Sequence, residues 1–161
     1  MQLYLLRHGD AVESATLHDS ERPLSDLGIR QAQAAGRFLH SLSISPQAIL
    51  FSPLLRARQT AEQVNLSLQC RSISSSEHLT PNSDPRNLLN DLNATTHESL
   101  LLVGHQPFLG NLIALLLGAR RDLRIEIKKG TLASLDVPRP LKRSTGTLQW
   151  IVTVEQMMLV R

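Results

Sequence analysis

Two histidines and two arginines sit where this chain would ordinarily place apolar or capping residues. Arg7-His8 ends the apolar run QLYLLR and is followed at once by Gly9. His105 closes a second run of the same kind, SLLLVGH. Between them, SPLLRARQT sets Arg56 and Arg58 into what reads as the first turns of a helix. Neutral imidazole is a nucleophile and can also carry a proton near neutral pH. Guanidinium holds an oxyanion through two parallel hydrogen bonds. These residue types together suit the binding and transfer of a phosphate-like anion. Each alone has a plainer account: a strand-end histidine is usually a surface or capping residue, and a lone arginine is usually solvated. A cation near a helix N-terminus opposes the dipole, however, and a bound anion would offset that repulsion. The coincidence of all four outweighs the separate plain accounts. His18, His40, His78 and His97 lie in polar surroundings and read as surface residues.

The elements that must position these groups alternate between strand and helix. QLYLLR is a first strand. Ser25 caps a helix through LGIRQAQAAGRFLHSL, whose apolar stripe is Leu27, Gln31, Ala34, Ala35, Phe38, Leu39 and Leu42. AILF is a second strand. Ser52-Pro53 then gives a cap-plus-proline start to the helix carrying LLRARQTAEQV. LQCRSIS reads as a third strand, and Asp84-Pro85 repeats the start signal before RNLLNDLN. SLLLVGH is a buried fourth strand, and PFLGNLIALLLG a helix closed by Gly118. RIEIKKGTLASLDV, with Lys-Gly at its turn, and LQWIVTV read as antiparallel additions at the sheet edge. The expected class is α/β: a three-layer α/β/α sandwich with a mainly parallel sheet and antiparallel edge strands. In such a sheet ligands sit beyond the carboxyl ends of the strands, where both histidines project.

Composition limits the alternatives. A chain of 161 residues with 42% hydrophobic content is the size of one domain, here spanning residues 1–161. Aromatic residues make up only 3%, so the core is aliphatic. The net charge of +3 is mild and its acidic residues are interspersed. With one Trp and one Tyr, a nucleic-acid surface is a poor reading. No signal peptide is apparent. The most apolar stretch is about half of the ~20 residues a membrane span requires. Cys70 is the only cysteine, which excludes an intrachain disulfide and a Cys-rich metal site. It reads as a buried, inert thiol, and the setting as cytoplasmic.

L-L-R-H-G-D-A, R-P-L-S-D-L-G-I-R-Q-A, S-P-L-L-R-A-R-Q-T-A and V-G-H-Q-P together resemble, in order and spacing, the histidine phosphatase superfamily. That family also contains the phosphoglycerate mutases. Within it, the short chain and the opening RHGDA look most like the phosphohistidine phosphatases. The resemblance covers residues 1–118 and implies a phosphoglycerate mutase-like fold. It implies that His8 is the nucleophile, transiently phosphorylated, while Arg7, Arg56 and His105 hold the phosphoryl oxygens. It implies no metal and no cofactor, which fits a site where cations replace a metal's charge. Gly9 would let the backbone approach the phosphate. Arg22 matches a family position near the pocket mouth, with a surface ion pair as the alternative. Ser52 fits both a helix cap and a pocket edge. Gly28 is expected to serve packing.

Larger members of the family carry a carboxylate that protonates an alkoxide leaving group, on a segment that is short here, SSSEHLTPNSDP. Glu77 is the nearest candidate and Asp10 the other, though Asp10 better suits shaping the loop after His8. General acid catalysis is worth about 10²–10⁴-fold, so a site without it should favour phosphohistidine, whose imidazole leaves readily. The expected partner is therefore a phosphorylated protein, such as a histidine phosphotransfer domain. The alternatives are a small phosphomonoester and a non-catalytic phosphate-binding module. A metal hydrolase built on His8, His105 and Asp10 is disfavoured by the flanking arginines.

Overall fold

The computed structural model describes residues 1–119 and 123–159. Six strands form one sheet: β1 (Gln2–Arg7), β2 (Ala48–Phe51), β3 (Ile73–Ser75), β4 (Ser99–Gly104), β5 (Leu132–Asp136) and β6 (Thr147–Val152). Their order is β3-β2-β4-β1-β5-β6. The first four are mutually parallel, whereas β5 runs antiparallel to β1, and β6 antiparallel to β5.

The helices are α1 (Asp26–Ser41), α2 (Leu55–Leu68), α3 (Pro85–Ala94), α4 (Phe108–Leu116) and the short α5 (Val154–Met157). Side chains alternate across a strand, so β1 feeds two cores at once. Leu3 and Leu5 pack with Leu100 and Leu102 of β4 against α3 and α4. Tyr4 and Leu6 pack with Leu101 and Val103 against α1, α2 and α5. This is the expected three-layer sandwich, and burial on both faces explains why β1 and β4 read as continuous apolar runs. No helix among the described residues is long and apolar enough to cross a membrane.

Local signals fixed several boundaries. Ser25 accepts the Gly28 N–H and starts α1, and Asp84 accepts the Arg86 N–H before Pro85 in α3. Gly118 follows α4 with φ +68, the left-handed conformation that a glycine adopts without penalty.

Four expectations need correction. The third strand is Ile73–Ser75, because α2 continues through Leu68 and ends at Gln69 with φ 51. The stripe of α1 is rotated: Leu27 and Leu42 are exposed, while Ala32 is buried in the core and Gly28 and Gly36 are buried against neighbouring backbone. Residues 123–128 form no strand. Their segment crosses the sheet end, held where Gln106 Nε2 donates to Ile125 O at 2.8 Å and Gln106 Oε1 accepts from Ile127 N at 3.4 Å. Cys70 is half-buried rather than buried.

Candidate active site

The register of β1 on β4 pairs Arg7 with Gly104, so the next residue of each strand, His8 and His105, emerges at the same edge. His8 N donates to Gly104 O at 3.0 Å, and the two rings lie with centroids 4.9 Å apart. Both histidines are almost fully buried. Arg56 enters from the first turn of α2 and is buried as well.

These groups line one cavity of about 280 Å³ with Arg7, Arg22 and Lys129, together with Glu13, Gln106 and Pro81. Roomier hollows lie elsewhere, among them one between α1 and α2 near His40 and one between α3 and α4 near Asn111. Neither gathers a histidine and an arginine pair, so volume alone does not mark the site.

Hydrogen bonding decides the state of His8. Its Nδ1 lies 2.7 Å from Gly9 O. A carbonyl oxygen can only accept, so Nδ1 carries the hydrogen and donates. Burial is the main cause that lowers the pKa of His8 to about 4, against the Gly9 bond, with Arg56, Arg7 and Lys129 adding to the lowering. The ring is therefore neutral at pH 7, and Nε2 holds the lone pair. His105 is pushed down to about 3, by burial first and then by His8, Arg56 and Arg7. Its Nε2 lies 2.8 Å from Ser52 Oγ, while its Nδ1 is buried without a protein partner.

The arginines are held from behind. Arg7 Nη1 donates to Ile127 O at 2.8 Å, and its Nε is buried and unpartnered. Burial lowers the Arg7 pKa, with Glu126 opposing and Arg56 assisting, but a guanidinium stays charged. Arg56 Nη1 donates to the backbone oxygen of Asp19 at 2.6 Å, and Nη2 lies 3.0 Å from Asp19 Oδ2. A buried relay ties this helix to the loop bearing His8: Gly9 N donates to Thr60 Oγ1 at 3.1 Å, and that hydroxyl donates to Arg56 O at 2.7 Å.

The structure thus brings Arg7, His8, Arg56, His105 and Arg22 around one space. Arg22 satisfies both of its readings, lining the cavity while its Nη1 pairs with Asp19 Oδ1 at 3.1 Å. Ser52 is wholly buried behind His105 and does not cap α2, whose cap position is Leu54 with no side-chain bond. A Cβ at Gly9 would meet Gly28 O at 2.5 Å, so its bareness admits the start of α1. Glu77 is exposed on the 3₁₀ turn Glu77–Leu79 and does not line the cavity. Asp10 binds Lys129 Nζ and Ser25 Oγ, each at 2.7 Å, and these bonds hold its carboxyl below the usual range. Arg58 turns away to pair with Glu62 at 2.9 Å.

Sequence reasoning missed Asp19, Thr60, Gln106, Lys129 and Glu13. Thr60 left a signal, lying four residues after Arg56, the spacing of a helical back-bond, and Gln106 stands in the V-G-H-Q-P motif. Among the described residues, no three His, Cys, Asp or Glu side chains group as a metal site would require.

The family model of the histidine phosphatase superfamily (branch 1) matches residues 3–80. The phosphohistidine phosphatase SixA of Escherichia coli (strain K12) is 36% identical over 121 residues, 71% of this chain and 73% of its own. A SixA homolog from Haemophilus influenzae is 31% identical over 134 residues, 76% of this chain and 81% of its own. A solved structure of the protein histidine phosphatase SixA complexed with tungstate aligns at 30% identity with a TM-score of 0.86, covering 96% of this chain and 97% of that one.

Proposed function

Because the chain belongs to the histidine phosphatase superfamily, we propose that it hydrolyses phosphohistidine on a protein partner through a transient phosphohistidine at His8. The observation that carries this reading is the donation from His8 Nδ1 to Gly9 O, which leaves Nε2 as the free nucleophile beside two arginines. Support for a tetrahedral oxyanion in this cavity comes from the tungstate bound by a similar protein.

In the first step the Nε2 lone pair attacks phosphorus in line. The P–N bond to the substrate ring breaks, and that ring departs as neutral imidazole when its far nitrogen is protonated. Arg7 and Arg56 neutralise the equatorial oxygens, the main requirement of a loose phosphoryl-transfer transition state. Ser52 donates its hydroxyl hydrogen to His105 Nε2, which fixes the hydrogen of His105 on Nδ1 and aims a donor at the phosphoryl group. In the second step water attacks phospho-His8. The P–N bond breaks, its electron pair returns to Nε2, and inorganic phosphate leaves with the water's oxygen. Gly9 O acts in both steps. By keeping Nδ1 protonated, it frees Nε2 to attack and later lets His8 leave as a neutral ring.

The choice of phosphohistidine rests on the acid and on room. Glu77 stands outside the cavity and Asp10 is tied up by Lys129 and Ser25. A site in which neither of these two carboxylates is free to give a proton serves a ring leaving group better than an alkoxide. The cavity, at about 280 Å³, falls just below the roughly 300–1,000 Å³ that small-molecule pockets occupy, which suits a group presented on a larger partner. A cytoplasmic setting accompanies that partner.

The test follows phosphate release, with chelator present, from a phosphohistidine-bearing protein domain, p-nitrophenyl phosphate and 3-phosphoglycerate. Rapid turnover of the first, poor turnover of the last and an inactive His8→Ala variant are expected. Preference for 3-phosphoglycerate would replace this reading with a small-molecule phosphomonoesterase and point to Glu13, the carboxylate on the cavity wall.

A further inference from the structure

The cations around the cavity are unequally committed. Four line it: Arg7, Arg22, Arg56 and Lys129. Lys129 is paired with Asp10. Asp19 divides its carboxylate between two more of these cations, with Oδ1 on Arg22 and Oδ2 on Arg56. Burial raises the Asp19 pKa, but the hydrogen bonds and charges of Arg56 and Arg22 prevail and hold it below its ordinary value, so it is anionic at neutral pH. Glu13 adds a further carboxylate on the lining. Arg56 still has three of its five N–H groups to give, and Arg7 its buried Nε.

We infer that Asp19 is a specificity-determining residue that holds Arg22 out of use and so restricts the site to a single anionic group, a phosphoryl on an uncharged or cationic carrier. A phosphorylated carboxylic acid would bring a second anion to a rim whose cations are already neutralised and where Asp19 and Glu13 repel it. Phosphoimidazole brings none. The inference rests on the proposed phosphoryl site and names the carrier chemistry that site accepts.

Altering the Asp19 side chain weakens only one of its two holds on Arg56, the 3.0 Å pair between Oδ2 and Nη2. The contact at 2.6 Å is to the Asp19 backbone oxygen, which an asparagine retains. Asp19→Asn removes the charge and releases Arg22 Nη1, while Arg22 Nε keeps its bond to Val12 O at 2.9 Å. Asp10 is less suitable, because its Oδ2 binds Ser25, the residue that caps α1.

Calorimetric titration of the whole protein with inorganic phosphate, glycerol 3-phosphate and 3-phosphoglycerate tests this. The last two share a three-carbon skeleton and differ by a carboxylate in place of a hydroxymethyl group. Wild type should bind 3-phosphoglycerate roughly tenfold more weakly than glycerol 3-phosphate, the size of one unit-charge repulsion at a half-hydrated rim. Asp19→Asn should close that gap to within about twofold. Adding Arg22→Gln to Asp19→Asn should reopen part of it. An unmoved ratio would overturn the inference. So would an equal gain for all three ligands, since Asp19 would then merely compete for Arg56. Should Asp19→Asn fail to fold, the wild-type pair still decides: tighter binding of 3-phosphoglycerate than of glycerol 3-phosphate overturns it. Binding is read without turnover, so a protein that binds phosphate yet spares phosphohistidine tests this inference separately from its parent. If none of the three binds, the phosphoryl site falls and this inference with it.

Discussion

The inner wall and the rim of the cavity are built by different means. On the inner wall, His8, Arg7, Arg56 and His105 are buried or half-buried, and each has a backbone oxygen or a buried hydroxyl as its holder. On the rim, Lys129 is held through the half-buried carboxylate of Asp10, and Arg22 through the exposed carboxylate of Asp19 together with one backbone bond to Val12 O. Buried bonds to backbone leave one geometry. Solvated ion pairs are weak and exchangeable. The wall is therefore suited to a fixed reaction and the rim to the choice of substrate.

Removing a wall cation should separate the two most widely. Arg7→Ala should lower kcat/KM by about 10²–10³-fold, the scale for losing one preorganised donor to developing charge. Arg22→Ala should cost about tenfold or less, as a half-exposed pair implies. Equal losses in steady-state assays would erase the distinction between wall and rim.

Next in size is a pH effect confined to the wall. His8 and His105 titrate at about 4 and about 3 in the fold but near 6.5 when unfolded. Between pH 6.5 and 4 the unfolded chain takes up protons that the folded chain refuses, so stability falls as pH falls through that window. His8 alone contributes roughly 3 kcal/mol to the drop. Denaturant titrations of wild type and His8→Gln across pH 7 to 4 should show a shallower fall in the variant. The acid limb of kcat/KM should likewise lie near pH 4 rather than 6.5.

The support behind the wall should matter less. Ser52→Ala leaves His105 without its partner and should reduce kcat/KM by about tenfold, at a stability cost of about 1 kcal/mol. Ser52→Thr, which keeps the hydroxyl, should recover the rate, whereas a purely packing role would not predict recovery. Arg58→Ala, outside both regions, should leave kcat/KM within about twofold and stability within about 0.5 kcal/mol.

The same division governs what the sequence discloses. Wall residues are legible because an apolar strand that ends on a polar residue places it at the sheet edge, as Arg7-His8 and His105 do. Apart from the local Asp19–Arg22 pair, the contacts that place Asp19 and Lys129 at the site are not, because they close across long stretches of chain. Asp19 meets Arg56 across 37 positions and Lys129 meets Asp10 across 119. Glu77 misled for the converse reason: its neighbourhood in sequence is right, but its 3₁₀ turn leaves it in solvent. The layers were legible from alternating periodicity, whereas LQCRSIS was not. Its first residue continues the apolar face of α2, and only the left-handed Gln69 separates helix from strand.

The holder of Arg7 also sets an order in time. β1 comes first in the chain, yet its neighbours in the sheet are β4 and β5, and the carbonyl that orients Arg7 belongs to a residue 120 positions later. During synthesis the first strand must wait, unpaired, for the ribosome to deliver residues 99–104. Its arginine must wait longer, for Ile127. Such distant closures slow folding and leave an apolar strand exposed meanwhile. The half of the chain that carries the nucleophile therefore cannot become competent until nearly all the rest has emerged.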